Sequence, residues 1–346
     1  MLLVEVADHV ETLARRIMKH CPDPAQAAAC SISSLESRYH PASNEPAVSI
    51  MLSLTFTADD GESLHVWRHG EQGPAVVFLH GWTASHLEWS PFVHELAQHH
   101  RVFRWDARAH GGHAPLTGNG ATAARMARDL DNMIDALQLH GACFVGHSMG
   151  ALTLWQYVRD CGTAKIGSLC FIDQSPKLMT DASWQLGIYG DFDKRRSAAL
   201  LANLREDFAE GVLRLAAYGL NDLARAGYDA NSRGWQKLRE ALRTLRPEPL
   251  ISCWEDLVRL DLREVMPCID RPTLLVHGGA SNFYPIEIAH WLMARLPQAR
   301  LSIHEDANHS PHLMDPRRFL DELGVLLAES AQLLPTAGVQ GRTLGL

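Results

Sequence analysis

Val145-Gly146-His147-Ser148-Met149-Gly150 is the stretch whose reading decides the fold. Ahead of it, Ala142-Cys143-Phe144-Val145 is an apolar run of the kind a buried strand shows, and behind it residues 151–157 read as a helix. A serine between a strand and a helix in the pattern Gly-x-Ser-x-Gly sits on a strained turn, and only small residues two positions to either side let the backbone bend that sharply. Ser148 is therefore a candidate nucleophile. The pattern alone is short enough to arise by chance, so its flanking strand and helix carry the weight.

Working outward toward the N-terminus, strands and helices alternate. Leu52-Ser53-Leu54-Thr55-Phe56-Thr57 and Ser63-Leu64-His65-Val66-Trp67 flank the turn signal Asp60-Gly61, a hairpin signature. Ala75-Val76-Val77-Phe78-Leu79 is continuously apolar, as a covered parallel strand is, and ends in His80-Gly81-Trp82. A strand over residues 101–105 stops at a loop rich in glycine and histidine, and residues 122–139 have a helical period before the strand that leads to Ser148. Toward the C-terminus come a helix over 151–160, a strand over 166–172 that ends in Asp173-Gln174-Ser175-Pro176, and then a break in the rhythm.

Residues 177–248 are mostly helical in pattern and carry Trp184, Tyr189, Phe192, Phe208, Tyr218, Tyr228 and Trp235, which reads as an inserted helical cap with one or two of these rings facing a pocket. Strand and helix then resume: a strand within 271–279, a helix over 285–296, a strand over 300–304 and a final helix over 316–334. Such alternation predicts a mostly parallel sheet with helices on both faces. The expected organisation is an N-terminal extension over residues 1–50, dispensable for chemistry, a core over 51–176 and 249–334, the cap between them, and a mobile tail over 335–346.

Composition narrows the function classes. A chain of 346 residues with 46% hydrophobic and 21% charged residues can bury a substantial core. A net charge of −8 without a long basic run argues against a nucleic-acid partner. No stretch approaches the roughly 18 consecutive apolar residues of a membrane helix. Seven cysteines without a Cys-x-x-Cys pair fit a reducing compartment, and acids stand near Met1 where a secretory leader wants lysines. A cytoplasmic protein is expected.

His80-Gly81-Trp82 after one strand, Gly146-His147-Ser148-Met149-Gly150 after another, and Ala307-Asn308-His309-Ser310-Pro311-His312 after the last, in that order, resemble the α/β-hydrolase family over about residues 51–332. The resemblance implies a mostly parallel eight-stranded sheet flanked by helices. An alcohol is a poor nucleophile at neutral pH and needs a base, and His309 stands where the family places one. His312 is its nearest competitor among 19 histidines, with packing at the start of the last helix as its plainer role. Asn308 replaces the usual glycine and is expected to tolerate a left-handed backbone. The backbone amides of Trp82 and Met149 match the family's two oxyanion donors.

The acid departs from the common pattern. Where relatives carry an aspartate, Gly279-Ala280-Ser281-Asn282-Phe283-Tyr284-Pro285 offers Ser281. The alternative family position, used by some haloalkane dehalogenases, is the end of the strand after the elbow helix, and Asp173 occupies it, with Asp306 as rival. Asp106 and Arg108 match a family loop and are expected to hold it by a salt bridge, while His110 and His113 are expected to be solvated loop residues rather than metal ligands.

The reading is therefore a serine hydrolase of small or medium, largely apolar carboxylic esters, working through an acyl-enzyme on Ser148, with no cofactor or metal and a small-molecule ester as its partner. Lactone, thioester, amide and C–C hydrolysis and perhydrolysis are the alternatives on the same fold, and a non-catalytic binding protein is a third class. A serine at the elbow argues against dehalogenase and epoxide hydrolase chemistry, which need a carboxylate nucleophile.

Overall fold

A computed structural model describes residues 51–118 and 120–333 of the chain. The extension over residues 1–50 and the tail over 335–346 lie outside the described residues. Eight strands, β1 (Leu52–Thr57), β2 (Ser63–His69), β3 (Ala75–Leu79), β4 (Arg101–Asp106), β5 (Ala142–His147), β6 (Ile166–Ile172), β7 (Thr273–Gly278) and β8 (Ala299–His304), form one sheet in the order β1-β2-β4-β3-β5-β6-β7-β8. The sheet is mixed. β1 pairs with β2, and β2 with β4, antiparallel, while every pairing from β4 to β8 is parallel. The cause is local: the tight turn at Gly61 joins β1 to β2, and the short link over residues 70–74 joins β2 to β3, the parallel neighbour of β4; links that short reverse the chain, whereas parallel neighbours need a crossover.

Among the described residues three α-helices precede the long insertion: α1 (Ser90–Leu96), α2 (Ala123–Ala136) and α3 (Met149–Cys161). β3, β5 and β7 are buried along their whole length, so both faces must be apolar and the side chains divide between two cores. Val76, Phe78, Val145 and Val276 face one core with Trp89, Phe92 and Phe319. Val77, Leu79, Phe144 and Leu275 face the other with Met126, Leu130, Leu152 and Trp155. Helices on both faces are what put the carboxyl ends of the parallel strands at an open rim.

Between β6 and β7 the chain builds α4 (Lys194–Glu206), α5 (Phe208–Ala217), α6 (Asp222–Asp229), α7 (Arg233–Leu242) and α8 (Pro247–Leu257). The first three start on side-chain caps, from Asp193, Asp207 and Asn221, each accepting a backbone N–H in the first turn. Pro247 opens α8 instead of ending the helical run, because a proline at the first helical position sacrifices no hydrogen bond. The helical stretch therefore continues past residue 248 to Leu257. Residues 177–193 are less helical than their pattern suggests, with an isolated bridge between Asp181 and Trp184 and one 3-10 turn at Ile188–Gly190. The chain closes with α9 (Glu287–Met293), the short α10 (Pro311–Met314) and α11 (Pro316–Leu333). Among the described residues no helix is long and apolar enough to cross a membrane.

Candidate active site

Ser148 lies at the end of β5 with φ 51° and ψ −116°, and α3 begins at the next residue. A non-glycine residue held there stores about 1–3 kcal/mol of strain. Crowding explains the small residues beside it: a Cβ on Gly146 would stand 2.6 Å from the carbonyl carbon of Gly150, and one on Gly150 would stand 2.2 Å from the carbonyl oxygen of Leu79. The elbow is thus wedged against the end of β3, and the Ser148 N–H is anchored by donation to the carbonyl of Ile172 at 3.2 Å.

Asp173 follows β6, with its side chain 1% exposed, and His309 follows β8. The structure brings the two together: His309 Nδ1 donates to Asp173 Oδ2 at 2.6 Å. The same oxygen accepts the hydroxyl of Ser281 at 2.7 Å, Oδ1 accepts the Gly278 N–H at 3.1 Å, and His277 Nδ1 lies 3.5 Å from Oδ1. Burial pushes the Asp173 carboxyl up, but donation from His277 and His309 outweighs it and holds the group well below the usual carboxylate range. For His309, burial dominates over the Asp173 charge and lowers its pKa below the ordinary 6.5. A neutral imidazole whose Nδ1–H is committed to a carboxylate presents its Nε2 lone pair. Asp306, the rival acid, is exposed. Ser281, at the position read in the sequence as lacking the usual carboxylate, is a donor to Asp173.

Asn308 differs from its expected role. Its backbone φ is not positive; its side-chain oxygen accepts the Ser310 N–H at 2.8 Å, which turns the loop. His309 itself is oriented by its backbone N–H, which donates to Asn282 Oδ1 at 3.3 Å, and by Phe283, whose ring centre lies 4.4 Å away.

Trp82 and Met149 line the same cavity as Ser148 and His309. Met149 opens α3, so its N–H is one of the helix's unpaired amino-terminal donors, at the positive end of the helix dipole. The Trp82 turn is held at several points. Gly81 donates its N–H to Glu88 Oε2 at 3.0 Å, and His80 accepts the Ala107 N–H at Nε2 while its Nδ1 donates to the Gly81 carbonyl. The Trp82 indole N–H donates to the Leu250 carbonyl at 2.9 Å, and its ring packs against Trp254 at 4.6 Å, which ties the turn to α8.

The cavity is mostly apolar. Val212 and Leu215 from α5, Leu238 from α7, and Trp254 and Leu257 from α8 form its wall opposite Leu152 and Phe283. Of the seven cap aromatics, one or two of them expected to face the pocket, none is among the lining residues; Trp82, Trp254, Phe283 and Tyr284 supply its rings instead. Phe208, one of the seven, packs edge-on against Trp82 from outside the lining.

The Asp106 and Arg108 loop is held by both residues, each through partners of its own. Arg108 binds Asp129 at 2.7 Å and Asp60 at 2.9 Å, whereas Asp106 accepts from the His86 backbone N–H at 2.6 Å and from His113 Nε2 at 3.1 Å. His110 is buried rather than solvated, with Nδ1 donating to the Arg108 carbonyl, and His113 stacks on His65 at 3.6 Å.

Sequence reading missed one cluster altogether. Glu88, His147 and His312, all buried, place ligand atoms within 4.8 Å of one another, the one such group found among the described residues that could surround a cation. Its spacings, 2.7 Å from Glu88 Oε1 to His147 Nδ1 and 3.1 Å to His312 Nε2, are those of a carboxylate contacting imidazoles directly. No spacing rule links residues 88, 147 and 312, so only the fold reveals the group.

A family model described as alpha/beta hydrolase fold matches residues 74–316. The chain is 28% identical over 264 residues to a pimeloyl-[acyl-carrier protein] methyl ester esterase of Vibrio vulnificus, covering 74% of this chain and 95% of that one. It is 26% identical over 271 residues to 3-oxoadipate enol-lactonase 1 of Acinetobacter baylyi, covering 78% and 94%. Among solved structures, an esterase from Exiguobacterium antarcticum superposes with a TM-score of 0.69 at 21% identity, covering 80% of this chain and all of that one.

Proposed function

The chain belongs to the alpha/beta hydrolase fold family, and from that premise we propose that it hydrolyses carboxylic esters of small or medium, largely apolar acyl groups through an acyl-enzyme on Ser148. The observation that carries the proposal is the buried Asp173–His309 contact opening onto the cavity that also holds the strained Ser148. His309 Nε2 takes the Ser148 hydroxyl proton as Oγ attacks the ester carbonyl, and Asp173 stabilises the imidazolium that forms. The oxyanion is received by the amides of Met149 and Trp82, donors of a kind worth about 3–4 kcal/mol each in related chemistry. As the tetrahedral intermediate collapses, the imidazolium gives its proton to the departing alkoxide. Water, deprotonated by His309, then attacks the acyl-enzyme, and the carboxylic acid leaves while Ser148 regains its proton.

The helices over 194–257 act as a cap that forms the acyl pocket. Its apolar wall supports a neutral acyl chain, and the lining residues include no arginine or lysine to match a carboxylate-bearing one. The five described cysteines are all free, which supports a reducing, cytoplasmic setting. Residues 1–50 serve as an extension to the catalytic core, and a chain begun at Met51 keeps the activity.

A series of p-nitrophenyl esters of increasing acyl length, assayed beside a lactone, an acyl thioester and the p-nitrophenyl hemisuccinate, tests the reading. Neutral short and medium esters are turned over with Ser148 intact, and the anionic hemisuccinate is about tenfold or more slower. Lactone or thioester turnover above that of every ester, or full ester turnover by Ser148→Ala, would overturn it.

A further inference from the structure

Three loops carry the groups assigned to the reaction: the Gly81–Trp82 turn, the elbow at Ser148, and the loop bearing His309. One buried carboxylate reaches all three. Glu88 sits in a 3-10 turn at His86–Trp89, with its side chain 1% exposed. Its Oε2 accepts the N–H of Gly81, the residue before Trp82, at 3.0 Å. Its Oε1 stands 2.7 Å from Nδ1 of His147, the residue before Ser148, though off the line of a straight hydrogen bond. The same oxygen accepts from Nε2 of His312, three residues after His309, at 3.1 Å. His147 continues the chain, donating from Nε2 to the carbonyl oxygen of His309 at 2.9 Å.

Proton accounting fixes the state of this cluster. A carbonyl oxygen can only accept, so His147 must carry a proton on Nε2. If it carried no other, the Nδ1 lone pair would face a carboxylate lone pair at 2.7 Å, which is repulsive. One more proton therefore lies between Glu88 and His147, and because the Glu88 carboxyl is held well below its usual range while His147 is raised, it sits on the imidazole, leaving a carboxylate beside an imidazolium, neutral in sum. Burial opposes the His147 charge, but Glu88 outweighs it and raises the pKa, with Asp173 adding to the effect. Of the other groups packed there, His312 is pushed down to about 4 by burial and stays neutral.

We propose that Glu88 is a positioning residue for the hydrolytic reaction, holding the oxyanion turn, the elbow and the base loop in register through Gly81, His147 and His312. The proposal rests on the serine-hydrolase reading above. A glutamine at this position keeps the volume but cannot accept on both of its terminal atoms, so at least one of the three loops loses its acceptor. Glu88 is not itself among the cavity's lining residues, and the apolar wall from Val212, Leu215, Leu238 and Leu257 stays in place. A displacement of 1 Å in a reacting group costs about 100-fold in rate, and the loss falls on kcat rather than KM.

The test combines kinetics with spectroscopy. In Glu88→Gln, folded by circular dichroism, kcat for p-nitrophenyl butyrate falls about 100-fold with KM within about twofold. In wild-type protein labelled with ¹⁵N-histidine, the His147 ring, assigned by its loss in His147→Gln, shows both nitrogens protonated at about pH 7.5, above the ordinary histidine pKa, and this persists in Ser148→Ala. Wild-type kcat in folded Glu88→Gln, a loss expressed in KM alone, or a singly protonated His147 ring would overturn the proposal. So would a stoichiometric tightly bound metal, found by elemental analysis of the wild type. If Glu88→Gln does not fold, the wild-type His147 ring decides the matter. Ester turnover by Ser148→Ala would defeat the serine reading and leave the His147 signals unchanged, so the two failures are distinguishable.

Discussion

Asp173 and Glu88 are chemically alike and differ in what they face. Each is a buried carboxylate with two oxygens filled by N–H or O–H donors, each contacts a histidine at 2.6 to 2.7 Å, and each is held well below the usual carboxylate range against the effect of burial. Around Asp173 the histidine keeps one nitrogen for the cavity. Around Glu88, His147 spends its second nitrogen on the backbone of His309. The lesson is that a carboxylate–histidine contact becomes an acid–base device only when the imidazole retains a lone pair in reach of substrate; with both nitrogens committed, the same contact is a brace.

The comparison is broken most sharply at Asp173. Asp173→Asn is expected to lower kcat about 10⁴-fold by favouring the wrong His309 tautomer, with an unchanged circular dichroism spectrum; near wild-type kcat would make the contact a brace like the other. The pH profile probes the same contact. His309 has its pKa lowered in the folded protein, so it is neutral above that value, and on the proposed mechanism activity falls as the pH drops through it. The acid limb of kcat/KM is therefore expected below 6.5, dropping about tenfold per pH unit, and a limb centred above neutrality would contradict the neutral base. Ser281→Ala removes one donor from Asp173 and is expected to lower kcat about tenfold, in line with a hydrogen bond to a charged group. Asp306→Asn, at an exposed position, should leave kcat within about twofold; a larger fall would return that residue to the site.

How much of this was legible beforehand follows from where each group stands. The sheet core was, because continuous apolar runs such as Ala75-Val76-Val77-Phe78-Leu79 have few alternatives to a covered strand. Ser148, Asp173 and His309 are legible as candidates too, since each follows a recognisable strand within one residue to five. The pocket was not. Its wall comes from helices whose facing residues are chosen by packing between helices, so Val212, Leu215 and Leu238 line it while larger rings such as Trp235 turn into the core. Glu88 was invisible for a different reason. It lies on a single 3-10 turn, which has no period to read, and its two histidine partners are separated from it by 59 and 224 residues.

Reaction with a fluorophosphonate probe, followed by mass spectrometric mapping, tests the central claim most directly. Folded wild-type protein is expected to take up one phosphonyl group, on the peptide bearing Ser148, with the labelling rate collapsing in Asp173→Asn. A folded wild type that stays unlabelled, or one labelled at a different serine, would contradict the account.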